Sequence, residues 1–177
     1  MRSLFLTATL ATLLSVPIAA QQTGPAIASG GAHSPVPNPT FDVPKDVTYR
    51  VAWDIAVGSA RPADANPAFE IPARFLNQSV AVGVPRSNIH VVIVVHGSAG
   101  EELLSNTEYR ARKGADNPNI TLLSELAGAG ARIVICGQTV ASRKIARDQL
   151  LPFVQVAPSA TWALAVLHTQ GFHLNPF

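Results

Sequence analysis

Cysteine is nearly absent from these 177 residues: Cys136 stands alone, which excludes an intramolecular disulfide framework. Charge is scarce too. Asp, Glu, Lys and Arg make up 14% of the chain and leave a formal charge of +2. That balance supplies no basic stripe, so nucleic acid is not an expected partner. No glycine-rich motif of the phosphate-loop or dinucleotide type occurs, and no organic cofactor is expected. No metal is expected either: His90 sits among apolar neighbours, and His168 and His173 lack the short ligand pairing typical of zinc. Nor does the chain carry an internal repeat.

Beyond the first twenty residues no apolar run approaches membrane length, so no membrane span is expected after cleavage. Those twenty combine Arg2, an apolar stretch from Leu4 to Val16, and Ile18-Ala19-Ala20 before Gln21. They read as a cleaved bacterial export signal at 1–20, which places the mature chain in the periplasm. The competing reading is an uncleaved amino-terminal anchor. Residues 21–44 are rich in Pro, Gly and Ser, with Pro35-Val36-Pro37-Asn38-Pro39 near their end. Such a composition buries too little apolar surface to order itself, and an extended or disordered leader is expected. Residues 45–177 remain for one domain with a sizeable core.

Within that domain the apolar pattern switches repeatedly between strand and helix periods. Tyr49 to Val57 alternates, with Arg50 and Asp54 on the polar side, as in a strand near a sheet edge. Pro72 opens a helix that Gly83 stops. Ile89 to Val95 is almost wholly β-branched, as a central parallel strand requires. Ala99 to Arg112 is weakly helical, and Asn117-Pro118-Asn119 starts a clearer helix through Ile120, Leu123 and Leu126. A third strand runs from Ala131 into Cys136, and a fourth from Phe153 to Ala157. Residues 139–150 read as a basic helix or turn between them. Pro158-Ser159 begins a helix closed by Gly171, and Phe172-His173-Leu174 offers a short last strand. The expected fold class is α/β: a single compact domain whose mostly parallel, four- or five-stranded sheet is covered by helices.

Residues that follow parallel strands share one rim of the sheet, where ligands of open α/β folds collect. The rim brings together His96-Gly97-Ser98 and Cys136-Gly137-Gln138-Thr139. A thiol reacts as its thiolate, which a nearby imidazolium or a helix amino terminus favours. Cys136 is therefore the candidate catalytic residue and His96 its candidate partner. Gly97, Ser98, Gly137, Gln138 and Thr139 are candidates to line a ligand. The opposing reading makes Cys136 a small buried hydrophobe, a role free cysteines often fill. A third reading takes Ser98, flanked by glycines after a strand, as a hydrolase nucleophile. It would need His168 or His173 with Asp148, and the domain is small for the usual hydrolase sheet.

Several blocks occur in order: Ala73-Arg74-Phe75-Leu76-Asn77, Val94-Val95-His96-Gly97, Asp116-Asn117-Pro118-Asn119, Ile135-Cys136-Gly137-Gln138, Ser159-Ala160-Thr161 and Gln170 to Phe177. Together, over Tyr49 to Phe177, they resemble the DsrE/DsrF-like family, in an exported branch. The resemblance implies a DsrE-like α/β sheet domain and a homo-oligomer, trimer or hexamer, with the cysteine near subunit contacts. In sulfur-relay members the matching cysteine accepts sulfane sulfur as a persulfide and passes it to a thiol or sulfur-carrier protein. The position matching it here is Cys136. The alternative function is a non-catalytic oligomeric module that binds a small ligand and uses the cysteine for packing.

Overall fold

In the computed structural model, which describes residues 25–176, the fold is built outward from one strand. β2 (Ile89–Val95) is β-branched at every position but His90, and every position but His90 is buried. Stiff branched side chains on both faces suit a strand with neighbours on each side and helices above and below. β1 (Tyr49–Ile55) pairs with it in parallel from Tyr49↔Ile89 to Ile55↔Val95. On the other flank β3 (Arg132–Cys136) runs parallel from Val92↔Arg132 to Val95↔Ile135. β4 (Val154–Ala157) extends the sheet beyond β3, ending at Cys136↔Ala157. The two-residue β5 (His173–Leu174) adds to β1. The order is β4-β3-β2-β1-β5 with all four pairings parallel, as the alternation of patterns predicts.

The two faces of the sheet are covered unequally. On one, Trp53, Ile55, Ile93, Val95, Ile133 and Ile135 pack beneath α1 (Glu70–Ala81), α3 (Ile120–Gly128) and their loops. On the other, Ala52, Val92, Val94 and Val134 meet Leu167 of α5 (Ala160–Thr169), the one helix there among the described residues, and Phe172. That second face carries the even-numbered residues of β1, β2 and β3, Asp54 and Cys136 among them, because successive side chains alternate.

Three expectations shift. α1 begins at Glu70 rather than Pro72, after a 3₁₀ turn at Pro67–Phe69 whose Asn66 cap accepts from the Ala68 amide. Pro72 falls in the first turn, where its missing N–H has no helical partner to lose. The weak helix over Ala99–Arg112 is two elements: a 3₁₀ helix at Gly97–Leu103, then α2 (Asn106–Lys113). Leu103 and Leu104 are both fully buried, and Leu104 bridges to Leu150, so the chain extends between the two helices. Ser105 then caps α2.

The third shift is in the leader. Its described part, from residue 25 on, has no regular secondary structure, but it is docked. Ile27 is buried against the core. The Asn77 side chain of α1 accepts from the Ile27 amide (2.8 Å) and donates to the carbonyls of Ile27, Gly30 and Gly31. The Glu125 carboxylate of α3 accepts from the Ala28 and Ser29 amides, and Glu70 accepts from that of Gly31. The segment cannot order itself, but partners on α1 and α3 satisfy its backbone. The export signal expected at 1–20 lies outside the described residues.

Candidate functional site

Cys136 is both the last residue of β3 and the cap of α4 (Gly137–Ser142), so the chain passes from strand to helix without a loop. Gly137 makes this possible. A Cβ there would lie 2.5 Å from the Ala157 carbonyl oxygen and 3.0 Å from that of Pro158. The turn after β3 therefore presses against the turn between β4 and α5. Ser159 caps α5 by accepting from the Trp162 amide, which leaves the Ala160 N–H at the start of the helix for another acceptor.

That acceptor is the Cys136 sulfur. Its Sγ receives hydrogen bonds from the backbone N–H groups of Thr139, Ala160 and Gln138 and from the Thr139 hydroxyl. Burial by itself pushes the thiol pKa up, and it is the largest single influence. The donors together outweigh it, so the thiol lies below its ordinary value. Two helix amino termini, those of α4 and α5, thus meet on a cysteine that is only 6% exposed. Such an arrangement can hold an anionic sulfur with little water around it.

Thr139 links this sulfur to the neighbouring strand. Its buried Oγ1 accepts from the Gly97 amide at 3.1 Å while its hydroxyl donates to Sγ. Gly100 makes room for it, since a Cβ at position 100 would fall 2.5 Å from the Thr139 methyl. Gly97 adopts φ +58, and a Cβ there would meet the Ala56 carbonyl oxygen at 2.5 Å. Of the glycines that the sequence made candidates to line a ligand, Gly97 donates its amide to Thr139 and Gly137 brings two turns together.

His96 lies beside this centre on the rim, and its Nε2 stands 3.0 Å from Asp54 Oδ1 of β1. Among the described residues no hydrogen bond or ion pair joins His96 to Cys136. Gln138 is exposed and donates from Nε2 to the Pro158 carbonyl at 3.3 Å. Ser98 accepts from the Gly58 amide at 2.9 Å, with its hydroxyl 3.4 Å from the Ala56 carbonyl. No hydrogen bond among the described residues ties it to an imidazole. His96 also occupies the place where a serine-hydrolase elbow has its first glycine, so the Ser98 reading loses its support. No group of three or more His, Cys, Asp or Glu is arranged around a metal-sized space among the described residues.

Two contributors escaped the sequence reading. Ala160 acts through its backbone, and the signal for it was Pro158-Ser159, a helix start directly after a strand. Asp54 read as a solvated residue on the polar side of β1. Its signal was a place one residue short of that strand's carboxyl end.

The asparagines of the block at 116–119 brace the rim from below. Asn117 donates to the Glu102 and Leu104 carbonyls, and Asn119 accepts from the Asn66 amide. The buried Glu102 carboxylate takes hydrogen bonds from the Asn66 side chain and the Ser59 amide. These buried groups tie the loop after β1 to the 3₁₀ helix after β2.

Comparison with known proteins gives a consistent picture. The family model described as "DsrE/DsrF-like family" matches residues 59–176. No curated protein matches. Among solved structures, a protein of unknown function from Methanobacterium thermoautotrophicum shares the fold with a TM-score of 0.52 at 20% identity. The match covers 72% of this chain and 97% of that one.

Proposed function

The chain belongs to the DsrE/DsrF-like family, and on that premise we propose that Cys136 accepts sulfane sulfur as a persulfide and hands it to another thiol. The observation that carries the reading is the set of amide and hydroxyl donors on Sγ, which overcome burial and lower the thiol pKa. A persulfide relay needs the sulfur anionic twice: when it attacks the donor, and when it leaves as the acceptor takes the outer sulfur. Donors fixed in the fold favour the anion in both steps without rearrangement. Low exposure also shields the persulfide from oxidation, which matters for an exported protein.

The partners we propose are further copies of this chain, in a trimer or hexamer, together with a thiol or sulfur-carrier protein. The support is the thinly covered face of the sheet. There Trp162 is 66% exposed, and Val166 lies exposed beside it. They border a groove of about 250 Å³ lined also by Val134, Ala163 and Leu167. Exposed apolar side chains so grouped mark an interaction surface. The proposed location is the bacterial periplasm, supported by the first twenty residues of the sequence.

A second reading draws on the same groove: a non-catalytic oligomeric module that binds a small ligand, with Cys136 as packing. One experiment separates the two. The mature protein is treated with polysulfide, freed of excess reagent and exposed to cyanide, and the thiocyanate released is measured. The relay reading predicts about one equivalent from the native chain and none from Cys136→Ser. Equal release from both, with assembly unchanged in the variant, would favour the binding module.

A further inference from the structure

Asp54, His96 and Cys136 stand at the carboxyl ends of β1, β2 and β3, three strands that are direct neighbours. Val95 pairs with Ile135, and His96 keeps extended backbone angles (φ −148, ψ −170), so the next step of the register sets His96 beside Cys136. Adjacent strands are about 4.8 Å apart. Alternation places all three side chains on the α5 face. Asp54 holds the imidazole by Nε2 at 3.0 Å, and Nδ1 makes no hydrogen bond among the described residues. Both side chains are about one-third exposed (31% and 35%), so the imidazole is reachable from solvent where Cys136 is nearly closed off. The neighbouring backbone is fixed by the Gly97 amide on Thr139 Oγ1 and by the His96 amide on the Ile55 carbonyl (2.9 Å).

We propose that His96 is the proton acceptor for the thiol that collects sulfur from Cys136, and that Asp54 is the residue that positions and polarises it. The proposal rests on the relay reading. In the step, the acceptor R–SH gives its proton to the His96 imidazole, and its sulfur attacks the outer sulfur of the Cys136 persulfide. The new R–S–S bond forms as the bond between Sγ and the outer sulfur breaks. The electron pair of that bond stays on Sγ, which leaves as a thiolate held by the amides of Thr139, Ala160 and Gln138. The acceptor becomes a persulfide, Cys136 is reduced to the thiol level, and no outside oxidant or reductant is consumed. The titratable groups facing His96 are Asp54 from β1 and Cys136 from β3. α5 carries only His168, in its last turn, away from the end that meets Cys136.

The test measures transfer from polysulfide-loaded protein to glutathione across pH, for the native chain, His96→Gln, Asp54→Asn and Asp54→Glu. Cyanide-released thiocyanate reports loading of Cys136 independently. The expected result is full loading in every variant and a native profile with a rising limb. His96→Gln slows transfer about 10²-fold at neutral pH and leaves only the rise that the acceptor thiol's own ionisation sets. Asp54→Asn slows transfer with loading intact, and Asp54→Glu restores the rate in part. Full loading with an unchanged profile in His96→Gln would overturn the assignment while leaving the relay intact. Failure of the native chain to load at all would overturn the relay reading itself.

Discussion

Thr139 is the residue on which the chemistry of Cys136 turns, because it donates to Sγ twice, from its amide and from its hydroxyl. Thr139→Val keeps the shape and the amide and removes only the hydroxyl. The thiol pKa then rises, and alkylation of the native protein at neutral pH slows; rates with iodoacetamide across pH give the shift directly. Gly100→Ala reaches the same end by pushing on the Thr139 methyl, which a stiff β-branched side chain cannot swing away cheaply. A lowered thiol pKa is also a stability term. Relative to Cys136→Ser, the native chain gains stability as pH rises from below the lowered pKa to the ordinary thiol range. That gain is lost as pH falls back through the folded-state value. Urea unfolding at several pH values measures it. At this scale the sequence was half legible. Cys136 announced itself as the lone thiol at a strand end, but the amides of Thr139, Ala160 and Gln138 reach it only through the meeting of two turns, which no single stretch of sequence encodes.

At the scale of elements, the docked leader and α5 carry the consequences. The leader depends on Asn77, whose amide group makes four hydrogen bonds to backbone at residues 27–31. Asn77→Leu strands those groups, and a loss of about 1–3 kcal/mol is expected. Amide hydrogen exchange at residues 27–31 would accelerate well beyond that of β2. The docking of residues 27–31 was not legible because composition speaks for a segment alone, whereas its partners lie about fifty to a hundred positions further on. α5 was legible as a helix from its cap and spacing, but not as the only helix on its face among the described residues. Its exposed Trp162 and Val166 are the expected subunit contact. Trp162→Glu is expected to dissociate the proposed oligomer, seen by light scattering as a fall in mass, with the monomer's circular dichroism preserved. A native chain already monomeric at micromolar concentration would contradict that contact.

The whole molecule explains why the site stands where it does. A parallel sheet sends every strand's carboxyl end to one rim, and the short strand-to-helix turn at Gly137 points two helix amino termini at the same sulfur. The parallel sheet and its helix cover followed from the sequence because strand-like apolar runs alternate with helical patterns, the β-branched run of β2 above all. The pairing of Asp54 with His96 did not follow, because it depends on β1 lying next to β2 and on the face each residue takes. Family membership and fold leave open what this rim does, since one fold hosts many chemistries. The most direct test is the intact mass of the protein after polysulfide treatment, with Cys136 located by peptide mapping. The account predicts about +32 Da on the Cys136 peptide, removed by reductant and by cyanide; the loss on reduction separates it from a doubly oxygenated thiol of similar mass. A thiol that stays unmodified, and resists alkylation until the protein unfolds, would contradict it.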